Sequence, residues 1–391
     1  MLAALAEFTD EPPGITRTFL SPALESAKSL VAEWMRSAGL EVFEDRAGNL
    51  IGRRACQDLE APTVACGSHL DTVRNAGAFD GSLGIVAGLA GAAELAGVML
   101  PYHLEIVAFS DEEGVRFQST YLGSRFYSGD DSVLTSHETD ADGLTISAAI
   151  ASHTPRFPLP PPRTLAAYIE AHIEQGPILE SESLGLAVVT EIAGQTRLRV
   201  DLEGIADHAG TTPMRLRRDA LAGAAECIGA LEQMARNSAS TVATVGYLDL
   251  RSPASNVIPG FASFTVDIRD ANDGERGRFV ESAISKFESL ASSRALDLSI
   301  RTLLDVPSVP CDESMTRLAE EIIFRSQGSC PRLTSGAGHD AAAISRSAKV
   351  AMIFVRCRGG VSHHPDEFAS NEDVSAAVEA LTEFLRRFSP T

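Results

Sequence analysis

The hydrophobic and polar positions of the chain alternate between two periods. Residues 21–38 carry the signals of a helix: Ser21 can cap it, Pro22 suits its first turn and Gly39 stops it. Asn49–Arg53 and Thr63–His69 are short apolar runs between polar turns and predict strands. Gly81–Val98 is a long run of small apolar residues that predicts a helix buried against a sheet, and His103–Ser110 predicts the next strand. Phe157–Arg163, rich in proline, reads as a stiff connector, and Leu165–Glu174 as another strand. From about residue 191 the texture changes. Thr196–Glu203 and Ser263–Arg269 alternate apolar and polar residues as half-exposed antiparallel strands do, while Asp219–Ala235 and Gly277–Ser293 read as amphipathic helices. Ala351–Cys357 resembles a core strand again, and Glu372–Phe388 a closing helix.

Alternating strands and helices predict an α/β protein: a mixed-sheet domain with helices on both faces, interrupted by a smaller α+β domain. The expected boundaries are 1–190 with 303–391 for the first domain and 191–302 for the insertion. No internal repeat or low-complexity tract is visible. The length, 391 residues, suits two domains.

Composition narrows the function. Hydrophobic residues make up 44% and charged residues 22%, ordinary for a soluble globular protein. With 33 basic and 53 acidic residues the net charge is −20, which argues against nucleic acid or an anionic membrane as partner. A small anionic substrate stays open, because a local arginine and metal ions can reverse the field in a cleft. The six cysteines show no short repeated spacing, so buried free thiols in a reducing cytoplasm are expected rather than disulfides or a zinc finger. Met1–Asp10 lacks a basic start and does not read as a signal peptide. Gly84–Leu100 is too short and too rich in glycine to span a bilayer.

The candidate chemistry gathers at strand ends, where active sites of α/β sheets lie. Glu112 and Glu113 follow the apolar run from His103. Burying two adjacent carboxylates is costly unless a cation sits nearby. If one glutamate binds metal, its neighbour projects differently and can take a proton from water. His69 ends a predicted strand with Asp71 two residues on; the aspartate could orient the imidazole as a metal-bound histidine requires, or could be a cap beside a core histidine. Asp80 lies on a glycine-flanked turn before the long helix, either as its N-cap or as a carboxylate able to bridge two cations. His172 and His363 also follow predicted strands, though each alone is more often a core or surface residue. In the insertion, His208, Asn256 and Arg269 read either as turn chemistry and surface charge or as an oxyanion donor and a carboxylate clamp. Gly336-Ala-Gly338-His339-Asp340 is too short for a dinucleotide fingerprint, but its amides could hold a carboxylate. No nucleophile-elbow pattern surrounds Ser68, and Cys66 lies inside a strand, so covalent catalysis is not expected.

In order along the chain, Gly-Ser-His-Leu-Asp-Thr, Asp-Glu-Glu-Gly-Val-Arg-Phe, His-Ile-Glu-Gln-Gly-Pro, His-Ala-Gly-Thr-Thr-Pro-Met, Ser-Asn-Val-Ile-Pro-Gly, Gly-Ala-Gly-His-Asp-Ala and Ser-His-His-Pro-Asp-Glu resemble the dinuclear-metal aminoacylase and carboxypeptidase superfamily. More narrowly they resemble its hydantoinase/carbamoylase branch: N-carbamoyl-L-amino acid hydrolases, β-ureidopropionases and allantoate amidohydrolases. The resemblance covers nearly the whole chain. It implies two divalent metal ions, one held by His69, Asp80 and His172 and the other by Asp80, Glu113 and His363. Zinc or manganese is expected first, with cobalt or nickel as alternatives, since histidine and carboxylate suit all four. It implies Glu112 as general base, Asp71 behind His69, His208 polarising the scissile carbonyl, and Gln175, Asn256, Arg269, Gly338 and His339 as substrate contacts. It further implies a homodimer formed through a lid domain, a cytoplasmic location, and a small ureido carboxylate as substrate. An N-acyl-amino-acid hydrolase or dipeptidase with the same site is the alternative, and a non-catalytic binding protein on this fold a third reading. Ala76 departs from the pattern, which usually has a second glycine before the bridging aspartate.

Overall fold

The computed structural model describes residues 1–251 and 253–390. It divides into two compact units, residues 1–190 with 310–391 and residues 191–309. Its strands are β1 Glu41–Glu44, β2 Leu50–Arg54, β3 Thr63–His69, β4 His103–Phe109, β5 Leu165–Ile173, β6 Leu186–Ile192, β7 Gly194–Glu203, β8 Asp207–His208, β9 Val242–Leu250, β10 Val257–Ile258, β11 Phe261–Asp270, β12 Asp297–Val306, β13 Val309–Pro310, β14 Arg332–Ser335 and β15 Lys349–Val355.

The first unit is built on a nine-stranded mixed sheet in the order β1-β2-β4-β3-β5-β15-β6-β13, with β14 pairing β6. Its centre is parallel: β3 pairs β4 and β5, and β5 pairs β15, all in parallel. Every residue of β3 and β4 is buried, as expected for strands covered on both faces. Parallel pairing brings the carboxyl ends of β3, β4, β5 and β15 to one edge. That single consequence of topology places His69, Glu112, Glu113, His172 and His363 within reach of one another.

Helices cover both faces. Pro22–Ser37, Ser82–Glu94, Glu313–Gln327 and Asn371–Arg387 pack a large core against one of them, with Leu24, Val31, Ile85, Leu89, Ile323, Leu381 and Phe384 fully or almost fully buried. On the other, Phe109 meets Tyr127 and Tyr168 edge to face. Small residues let Ser82–Glu94 lie directly on the sheet: a Cβ at Gly84 would come 2.5 Å from the Ala171 carbonyl oxygen. The helix ends at Glu94, not at Val98, because Leu95–Gly97 turn the chain back.

The segment leading into the proline connector is pinned on Glu44. Glu44 accepts hydrogen bonds from His153 Nε2 (3.0 Å) and the Arg156 amide (2.6 Å), and an ion pair from the buried Lys28. Burial alone would raise the Glu44 pKa, but His153 and Lys28 outweigh it and hold the carboxyl down at about 2.

The second unit is a four-stranded antiparallel sheet, β12-β7-β11-β9, with helices Ala220–Arg236 and Asp273–Ser293 on one face. Leu198, Val200, Phe264, Val266 and Phe287 fill the core between them. The unit runs to 309 rather than 302 because β12 pairs with β7 through Val306. Helix Asp273–Ser293 starts four residues before the expected Gly277, since Asn272 caps it by accepting the amides of Gly274 and Glu275.

All six cysteines are free thiols. No helix among the described residues is long and apolar enough to cross a membrane.

Candidate metal centre and base

Two sets of donor atoms meet at the carboxyl edge of the first unit's sheet. His69, Asp80 and His172 form one and Asp80, Glu113 and His363 the other, each with its ligand atoms within 4.8 Å of one another. Asp80 belongs to both through different oxygens. Its Oδ1 lies 3.3 Å from His69 Nε2 and 3.1 Å from His172 Nε2. Its Oδ2 lies 3.6 Å from His363 Nε2, which is also 3.6 Å from Glu113 Oε1. This is the disposition a bridging carboxylate needs.

In the first set, each histidine faces a backbone carbonyl through Nδ1. His69 Nδ1 faces the Asp71 carbonyl at 3.0 Å, and His172 Nδ1 the Ile173 carbonyl at 3.0 Å. Both contacts suit a proton on Nδ1, which directs Nε2 toward Asp80 and leaves it as the nitrogen a metal would use. Burial pulls the His69 pKa down, but Asp71 and Asp80 outweigh it and raise it well above the usual value. Burial likewise opposes the Asp80 charge, yet His172 and His69 hold that carboxyl well below its usual range.

The glutamates behave oppositely. Glu112 is 7% exposed, and burial followed by the Glu113 charge pushes its carboxyl well above the ordinary range. Burial raises Glu113 to about 8; His69 opposes this, and Asp80 and Asp71 add to it. Asp111 and Asp340, both buried, are raised in the same way by burial and neighbouring carboxylates. A pocket holding this much like charge is relieved by divalent cations, and nitrogen and oxygen donors in two sets of three fit a pair of them.

Asp71 has a second task beside the one its spacing suggested. Its carboxylate lies 3.5 Å from His69 Nδ1, behind the imidazole, with the Asp71 carbonyl nearer at 3.0 Å. The carboxylate also accepts the amides of Glu112 (3.0 Å) and Glu113 (3.2 Å), clamping the ends of β3 and β4 together. Asp80 is not a helix cap: Gly81 holds that position at φ +63° and no side chain caps the helix.

Gln175, expected as a substrate contact, donates through Nε2 to Asp80 Oδ2 (2.8 Å) and Ser362 Oγ (3.1 Å). His339 is 2% exposed, packs edge-on against His172 with ring centroids 4.6 Å apart, and places Nε2 2.7 Å from Ser335 Oγ. Burial, then the His172 charge, drops its pKa well below the usual value. Gly338 is its partly buried neighbour.

Three residues were missed from sequence. Ser362 donates to Asp80 Oδ2 at 2.6 Å. Glu367 accepts the amides of Phe79 (2.7 Å) and Asp80 (2.9 Å). Glu170 accepts from Ser68 Oγ (2.6 Å) and the Ala341 amide (3.1 Å). Only Glu170 carried a signal, its i, i+2 spacing to His172 on a strand.

The remaining expected residues lie in the second unit. His208, exposed on β8, accepts the Gly210 amide at Nδ1 (3.0 Å), and β8 pairs with β10, which begins just after Asn256. Arg269 donates to Asp267 through Nε (2.8 Å) on the sheet face away from the core.

Peptidase family M20/M25/M40 matches residues 65–387. A probable allantoate deiminase of Oryza sativa subsp. japonica is 38% identical, over 98% of this chain and 86% of that protein. The N-carbamoyl-L-amino acid amidohydrolase of Geobacillus stearothermophilus is 39% identical, over 97% of this chain and 95% of its own length. Among solved structures, an amidase of the hydantoinase/carbamoylase family from Burkholderia multivorans superposes with a TM-score of 0.90 at 31% identity, covering 98% of this chain and 95% of that one.

Proposed function

The chain belongs to peptidase family M20/M25/M40, and from that premise we propose that it is a metal-dependent amidohydrolase that cleaves the ureido carbon–nitrogen bond of a small carboxylate, an N-carbamoyl-L-amino acid or allantoate. One observation carries the reading: two donor sets share Asp80, and beside them stands a buried, raised Glu112 that neither set needs.

Two divalent ions, zinc or manganese in the first instance, would be held by His69, Asp80 and His172 and by Asp80, Glu113 and His363. When bound they supply a Lewis acid for the carbonyl and lower the pKa of water toward neutrality. Glu112 takes the proton of the attacking water and returns it to the leaving nitrogen; its burial matches its basicity to that task. Asp71 fixes the backbone of both glutamates, so base and ligand keep their spacing. Gln175, Ser362 and Glu367 hold Asp80 in the orientation that serves both sets. His208, Asn256, Arg269, Gly338 and His339 are assigned to substrate recognition on their motifs; Arg269 suits a carboxylate through its bidentate fork.

In this reading the second unit is a lid and dimerisation domain, and the protein a cytoplasmic homodimer. The edge strand β9 supports self-association, since it exposes Val242, Tyr247 and Leu248. A single sedimenting species of monomer mass would overturn the dimer. The function is tested by reconstituting the metal-stripped protein with zinc or manganese and measuring ammonia and amine release. The panel is allantoate, N-carbamoyl-β-alanine, several N-carbamoyl-L-amino acids and their N-acetyl counterparts. Higher kcat/KM on a ureido substrate is expected; preference for the N-acetyl compounds would replace the proposal with an aminoacylase.

A further inference from the structure

Tyr121 stands in the left-handed region (φ +64°, ψ 26°), a conformation that bulky residues rarely adopt and that gathers at functional sites. Backbone hydrogen bonds tie this segment to the one before it. Its amide donates to the Glu112 carbonyl at 3.0 Å, and two residues on Gly123 donates to the Asp111 carbonyl at 3.1 Å. The segment 121–123 is therefore strapped onto the backbone that carries the proposed base. At its far end, the phenol occupies the space a side chain at residue 338 would need. A Cβ at Gly338 would lie 1.8 Å from the Tyr121 hydroxyl oxygen and 3.0 Å from the ring carbon that bears it. Gly338 leads directly into His339, whose ring packs against the ligand candidate His172. The helices that follow each side of the strap, Leu122–Tyr127 and Asp340–Ile344, pack on one another.

We propose that Tyr121 is a positioning residue: it couples the glycine loop 336–339 to the segment bearing Glu112, so that displacing one displaces the other. The catalytic part of this inference rests on the proposed function; the coupling itself does not. The glycine at 338 is needed because the phenol is there, and the left-handed backbone is needed to aim that phenol while the amide keeps hold of Glu112.

The test is a double-substitution cycle of Tyr121→Ala and Gly338→Ala in the full chain, with Tyr121→Phe as the conservative variant. Two readouts are taken: steady-state kinetics on the preferred ureido substrate, and amide hydrogen exchange of the peptide spanning residues 110–123. Gly338→Ala should lower kcat on the order of ten- to a hundredfold, the scale of an ångström-sized misplacement, whatever it does to KM through substrate contact. It should also speed exchange at Tyr121. In the Tyr121→Ala background the methyl at 338 has room, so its further effect on both readouts should nearly vanish, a non-additivity expected only of residues in contact. Tyr121→Phe keeps the ring and should retain most of the turnover.

Additive effects, or a Gly338→Ala variant with unchanged exchange at 110–123, would overturn the coupling. Coupled exchange with unchanged kcat would overturn the positioning role. A wild-type protein inactive on every ureido substrate would sink the proposed function instead, and the exchange cycle would still decide the coupling.

Discussion

Gly81 offers a direct way to disturb the proposed metal centre through the backbone. It sits at φ +63° between Asp80 and the helix Ser82–Glu94. A Cβ there would lie 2.4 Å from the His69 carbonyl oxygen and 2.5 Å from both Cε1 and Nδ1 of the His69 ring. Gly81→Ala therefore meets two penalties. Forcing a residue with a side chain into a left-handed backbone costs about 1–2 kcal/mol. Overpacking against a rigid backbone carbonyl and a ring fixed by its own hydrogen bond costs about another 1–3 kcal/mol. Reduced freedom of the unfolded chain returns about 0.4–1 kcal/mol. The net expectation is a loss of about 1–5 kcal/mol, centred on about 3, part of it expressed as displacement of His69.

Gly97 separates the two terms. Its φ is +80°, but nothing lies within 4 Å of the position a Cβ would take. Gly97→Ala should therefore show the backbone term alone, about 1 kcal/mol, with metal binding untouched. Both variants would be followed by urea denaturation of the metal-free protein and by titration with zinc or manganese. Each 1.4 kcal/mol transmitted to His69 weakens binding about tenfold. Equal destabilisation of the two variants, or Gly81→Ala binding metal as the wild type does, would refute the steric account.

Other substitutions probe the remaining parts. Glu112→Gln should keep both ions and lose at least about a hundredfold in kcat, the scale of general-base catalysis; metal analysis alongside steady-state kinetics checks both halves, and full activity would remove Glu112 from its role. Asp71→Asn presents an NH2 group to one of two backbone donors, so it should destabilise by about 1–3 kcal/mol and lower turnover through the glutamates, as read by denaturation and kcat. Glu44 is held at about 2 against an ordinary 4.5, a depressed folded-state value, so its stabilisation is complete above pH 4.5 and is lost as pH falls through 2. The difference of about 2.5 units corresponds to at most about 3 kcal/mol. Glu44→Gln should therefore lower stability at neutral pH and flatten its acid limb, and an unchanged pH profile would disprove the linkage. Arg269→Ala should chiefly raise KM for a carboxylate substrate, and a KM equal to the wild type would remove Arg269 from the clamp.

The legible parts of this molecule are those whose cause is local. Thr63–His69 and His103–Phe109 were readable because a strand buried on both faces is mostly apolar, and a histidine or glutamate pair at or just past its end stands out against that run. What eluded the sequence depends on which distant residues the fold brings together. Ser362 and Glu367 reach the Asp80 turn across 282 and 287 positions, and nothing about a serine or glutamate marks it for that purpose. The second task of Asp71 eluded the sequence for a related reason: its carboxylate faces His69 as an i, i+2 neighbour, but it also meets the amides of Glu112 and Glu113, and only the pairing of β3 with β4 brings those there. The late boundary of the second unit follows from the same limit. β12, an edge strand, has no fully buried position, so alternation, the local sign of a strand, fades where pairing alone defines it. A sequence thus reveals the sheet that carries the donors more readily than the hydrogen bonds that aim them, and those bonds, at Asp71, Gln175, Ser362 and Glu367, decide whether the donors face one point.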